Sequence, residues 1–125
     1  MGVPPTIQAH ELVELLRSWR FAVMNEAELQ WAIGKLLTEA RVAFIREFSL
    51  GRRDRVDFFL TANGIAVECK CKGGYTEVVR QLHRYAEHEV VKEIVLVTKF
   101  MRHDMIPDRM CEKPVHICVL PGAFA

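Results

Sequence analysis

The sequence predicts an α/β domain of αβββαβ order, a mixed sheet flanked by helices, with an extra N-terminal helix and a further C-terminal strand. Three observations predict it. Apolar residues recur at helical spacing up to Ala40 and at every second position after it. Two turn signals, GRRD at 51–54 and Asn63-Gly64, cut the alternating stretch into three strands. A second amphipathic helical segment then leads into EIVLVT, 93–98, a continuous apolar run of the kind buried on both faces of a sheet.

Each element has its own justification. Residues 8–18 set Leu12, Leu15 and Leu16 on one helical stripe. Residues 26–40 do so more clearly with Leu29, Ile33, Leu36, Leu37 and Ala40; Asn25 is the expected N-cap, and Glu28 completes a capping box. Strands follow at 42–50, 55–62 and 65–71, an antiparallel meander closed by a two-residue turn at Asn63-Gly64. Thr76 is the expected cap of a helix running to about residue 90, with Val78, Val79, Leu82, Tyr85 and Ala86 toward the sheet. The strand at 93–98 is reached by this helical crossover, a polar Met-rich connection follows, and the last strand covers 115–120.

A chain of 125 residues has room for one core, so residues 1–125 are read as a single domain. Half the residues are hydrophobic and 26% are charged, too apolar a balance for a disordered chain. No apolar run approaches the ~20 residues of a membrane span, and no secretory leader pattern is visible, so a cytoplasmic protein without a membrane partner is expected. Cys69, Cys71, Cys111 and Cys118 lack metal-site spacing and read as free thiols. Net charge is only +1, yet between residues 52 and 84 the basic side chains Arg52, Arg53, Arg55, Lys70, Lys72, Arg80 and Arg84 outnumber the acids.

That basic stretch surrounds a local anomaly. Asp57 interrupts Val56, Phe58, Phe59 and Leu60, while Glu68 and Lys70 interrupt Ile65, Ala66, Val67, Cys69 and Cys71. Burying such groups costs several kcal/mol each unless they are paired or hold a metal. Strand alternation sends Glu68 and Lys70 to one face, with Val67, Cys69 and Cys71 on the other. The two-residue turn pairs position 60 with about 67 and brings Asp57 near Lys70. Carboxylates and the Cys69 carbonyl are the donors a hard cation such as Mg²⁺ or Mn²⁺ takes, and an ammonium beside them can stabilise developing negative charge. A buried ion pair of Lys70 with one acid would need only two of the three groups.

Asp57, ten intervening residues, then Glu68-Cys69-Lys70 resembles the PD-(D/E)XK nuclease superfamily, with Val56 where the motif has Pro. Gln81 and Tyr85 resemble the QxxxY motif of its RecB-like members. The resemblance spans Glu26 to about Thr98 and implies a restriction-endonuclease-like fold. It implies a divalent-metal-dependent nuclease that hydrolyses phosphodiester bonds in DNA, with RNA not excluded. Asp57, Glu68, Lys70 and Gln81 are the implied catalytic residues. Glu26, Asp57, Glu68 and the carbonyl of Cys69 are the implied metal ligands for Mg²⁺ or Mn²⁺.

Glu26 is preferred to Glu28 because it falls beside Leu29 and Ile33 on the buried stripe. Glu47, opposite Asp57 across the first hairpin, stands open as a ligand or a salt-bridge partner of Arg55. Asp54, in a polar turn, is a weaker rival to Asp57. Arg52, Arg53, Lys72, Arg80, Arg84 and Tyr85 are the expected nucleic-acid contacts, with Lys72, Gly73, Gly74 and the following helix N-terminus able to hold a phosphate. His83 and His88 read as solvated. A small domain of this kind would extend its grip as a homodimer. A Holliday-junction resolvase of the same superfamily and a non-catalytic nucleic-acid-binding module are the alternatives.

Overall fold

A computed structural model describes residues 6–19 and 25–120. In chain order the elements are α1 (Ala9–Ser18), α2 (Glu26–Glu39), β1 (Ile45–Gly51), β2 (Asp54–Leu60), β3 (Ile65–Lys70), α3 (Tyr75–Ala86), β4 (Glu93–Thr98), a 3₁₀ turn (Met101–Met105), β5 (Arg109–Met110) and β6 (Lys113–Val119). The strands form one mixed sheet in the order β1-β2-β3-β4-β6-β5. The β1-β2-β3 meander is antiparallel, β3, β4 and β6 run parallel, and β5 closes antiparallel on β6. The predicted α/β class and element order hold, and no described helix is long and apolar enough to cross a membrane.

Alternation along the strands, interrupted once in β2 at Asp57 so that Val56 and Phe58 face opposite ways, divides the core in two. Phe58, Leu60, Ile65, Val67, Cys69, Val95 and Val97 pack with Leu12 and Leu16 of α1 and Leu29, Ile33 and Leu37 of α2. Val56, Phe59, Ala66, Ile94 and Leu96 pack on the other side with Val78, Leu82, Tyr85 and Ala86 of α3. Burying large aliphatic side chains contributes about 1.5–3 kcal/mol each, so these two layers hold the helices against opposite faces of the sheet. The four cysteines are free.

α2 starts as its sequence dictates: Glu28 N donates to Asn25 Oδ1 at 2.8 Å, and Glu28 Oε1 accepts from Asn25 N at 3.4 Å. α3 departs from expectation at both ends. It begins at Tyr75 behind Gly74, which puts Thr76 inside the first turn, and it stops at Ala86, where His88 N and Val91 N turn back to the carbonyls of Tyr85 and His88. The Met-rich connection is not featureless either, since it holds the 3₁₀ turn and β5, with His103 buried against Thr98 Oγ1 at 2.7 Å.

The β2-β3 connection corrects the expected register. Leu60 pairs with Ile65 and Phe58 with Val67, two positions short of the 60-to-67 pairing. Thr61–Gly64 form a four-residue turn, because Gly64 N donates back to Leu60 O at 3.0 Å and the Asn63 amide donates to Ile7 O at 2.6 Å. Gly64 has φ +69, and a Cβ there would lie 2.9 Å from Val90 O, so the position requires glycine. The same register carried one residue further sets Asp57 across from Glu68 rather than Lys70.

Candidate functional site

The β2-β3 ladder ends at Phe58 and Val67, and side chains take over beyond it. Asp57 N donates to Glu68 Oε1 at 3.2 Å, and Cys69 N donates to Asp57 Oδ2 at 2.8 Å. Each carboxylate thus occupies a main-chain donor that a neighbouring carbonyl would otherwise accept from, and regular pairing stops there. Lys70 Nζ lies 3.5 Å from Glu68 Oε2. The three charged groups singled out in the sequence therefore meet at one place, with Glu68 only 4% exposed.

Both flanking helices reach this place. From α2, the half-buried Glu26 accepts from Cys71 N through Oε1 at 3.2 Å, just past Lys70, while Glu28 serves as the cap partner. From α3, the Tyr85 hydroxyl lies 2.9 Å from Arg55 O and 3.4 Å from Glu68 Oε2, and it accepts from Gln81 Nε2 at 2.8 Å. Tyr85 is 2% exposed, so the expectation that it touches nucleic acid gives way to a buried role holding Glu68 and Gln81. Beside Lys70 opens a cleft of about 800 Å³, lined among others by Glu26, Lys70, Lys72, Arg80, Gln81 and Arg84.

Compared with models of known families, with curated proteins and with solved structures, the chain finds no match.

The electrostatics bear on what the site can hold. Burial pushes the Asp57 carboxyl up; the Cys69 N–H opposes that shift, and repulsion from Glu26 adds to it. Burial, then the charge of Asp57, push the Glu68 carboxyl up to about 8 against the pull of Lys70. Burial and the nearby Glu68 carboxylate likewise raise the Tyr85 hydroxyl. Among the described residues no three Asp, Glu, His or Cys side chains converge on a single point. The donors are nonetheless of one kind, carboxylate and main-chain oxygen, and the acids repel one another, a strain a hard dication relieves. Asp57, Glu68 and the Cys69 carbonyl thus suit Mg²⁺ or Mn²⁺ in donor chemistry, with Glu26 at the rim.

Other candidates lie elsewhere. Arg52 and Arg53 form the exposed β1-β2 turn with φ +52 and +67 and do not line the cleft. Glu47 falls opposite Asp57 as expected, but it has φ +49 and its side chain is exposed. Asp54 belongs to β2 rather than to a solvated turn and is 7% exposed: Arg84 Nε donates to its Oδ1 at 3.2 Å, and His88 Nε2 lies 2.8 Å from its Oδ2. Burial raises the Asp54 carboxyl, but His88 and Arg84 outweigh it and hold the group below its ordinary value. His88 is therefore a structural partner, not a solvated side chain. Sequence reasoning also missed Gln30, whose Nε2 donates to Asp57 Oδ1 at 3.1 Å. Its one signal was position, a single helical turn after Glu26 on the same face.

Proposed function

We propose that this protein is a divalent-metal-dependent phosphodiesterase of the PD-(D/E)XK superfamily that acts on DNA. Support comes above all from one arrangement: Asp57, Glu68 and Lys70 meet where β2 and β3 part, beside a cleft lined by Lys72, Arg80 and Arg84. Asp57, Glu68 and the Cys69 carbonyl would hold Mg²⁺ or Mn²⁺, with Glu26 alongside. When bound, the metal would polarise a phosphoryl oxygen and make a water molecule a better nucleophile at neutral pH.

The chain's own groups supply the rest. Lys70, fixed beside Glu68, faces the charge that builds on phosphorus oxygens and stabilises it in a partly dry setting. Lys72, Arg80 and Arg84 attract flanking phosphates along the cleft, with Arg80 and Arg84 one turn apart on α3. Gln81 is fixed in direction by the Tyr85 hydroxyl and orients the bound strand. Tyr85 keeps Glu68 from turning away into the core.

Plasmid and single-stranded DNA incubated with Mg²⁺ or Mn²⁺ test this function. The parent should cut, and Lys70→Ala should lose about 100-fold or more in rate while binding DNA nearly as well. Binding by both proteins with cleavage by neither would favour a non-catalytic nucleic-acid module instead.

A further inference from the structure

Gln30 sits between a cation and an acid. Its Nε2 donates to Asp57 Oδ1 at 3.1 Å, and its Oε1 accepts from Arg46 Nη2 at 2.9 Å. Arg46 is steadied in turn by the Phe58 ring, 5.0 Å from its guanidinium carbon. An amide has one end that donates and one that accepts, and a guanidinium can only donate. Arg46 therefore fixes which way round the Gln30 amide lies: flipped, it would oppose two donors at Arg46 and two acceptors at Asp57. The other Asp57 oxygen is held by Cys69 N at 2.8 Å. With both oxygens engaged, the carboxylate plane cannot swing about its χ2 torsion.

We propose that Gln30 is a positioning residue for the metal site, holding the Asp57 carboxylate in its ligating orientation, with Arg46 fixing which way the Gln30 amide faces. This rests on the metal-dependent reading above. Each Asp57 oxygen accepts one hydrogen bond and keeps a second lone pair for a cation, the usual relation between a ligating carboxylate and the groups that orient it. The role needs an amide. A carboxylate at position 30 would repel Asp57, and an ammonium would neutralise it.

Calorimetric titration of Mn²⁺ alone into the full chain, without DNA, reads the effect directly. The parent should take up Mn²⁺. Gln30→Met, of similar length without the hydrogen bonds, should weaken uptake about tenfold, with a melting temperature within about 2 °C of the parent. Arg46→Ala, on an exposed edge strand, should weaken uptake by a smaller factor. Adding Arg46→Ala to Gln30→Met should weaken uptake no further, because its hold on the amide is already gone and its own positive charge only repels the dication. Full affinity in Gln30→Met, additive losses in the double variant, or a loss of affinity that follows a collapse in melting temperature would each overturn the role. Parent uptake with an unchanged Gln30→Met sinks this inference alone; a parent that takes up no Mn²⁺ sinks the metal-dependent function with it.

Discussion

Glu68, buried between an acid and an ammonium, ties the site to pH. Its carboxyl titrates at about 8 in the fold against an ordinary 4.5, so the native state binds this proton more tightly than the unfolded chain does. The associated stability is fully present below about pH 4.5 and is lost as pH rises through about 8. Glu68→Gln cannot ionise there, so the melting temperature of the metal-free parent should fall relative to that of the variant across this window. Parallel pH curves for the two proteins would contradict the burial and repulsion assigned to Glu68. Mn²⁺, which favours the ionised form, should recover the parent's lost stability at the alkaline end. Asp57, Glu68 and Lys70 were legible in the sequence because charge inside an apolar strand is costly and needs a cause. Gln30 was not, since a neutral amide at the border of a helix face costs nothing to explain.

Between elements, α3 is fastened to β2 by groups far apart in sequence. Asp54 at the start of β2 meets Arg84 and His88, and the Tyr85 hydroxyl reaches Arg55 O. Asp54→Ala should cost about 2 kcal/mol in urea denaturation, most of it from stranding His88, because Arg84 is half in solvent and its pairing is screened. Tyr85→Phe should cost about 1 kcal/mol and, by freeing Gln81, slow cleavage more than it weakens DNA binding. Equal rates for Tyr85→Phe and the parent would remove α3 from the chemistry. Helices and strands could be read from the sequence because their periods are local. The β2-β3 register could not, since it depends on Asn63 reaching Ile7 and on two carboxylates replacing main-chain acceptors. The Asp54 clamp was hidden for a similar reason: an Asp after Gly-Arg-Arg reads as a turn until His88 arrives from 34 positions away.

Across the molecule, the near-neutral charge conceals an uneven distribution. Lys70, Lys72, Arg80 and Arg84 line one cleft against Glu26 and Glu77, so the positive potential is local to the place where the acids gather. Removing one cation that neutralises a phosphate should reduce the slope of log affinity for DNA against log salt by about 1. Lys72→Ala and Arg80→Ala should each show that reduction in fluorescence-anisotropy titrations, whereas Arg52→Ala, on a turn outside the cleft, should leave the slope unchanged. A reduction at Arg52 as large as at Arg80 would place the nucleic acid on a different face. The most direct measurement is diffraction from a crystal soaked in Mn²⁺, recorded where manganese scatters anomalously. An anomalous peak beside the carboxylates of Asp57 and Glu68 and the Cys69 carbonyl is the expected result. A fully soaked crystal with no peak there, or with its peak at another site, would contradict the assignment.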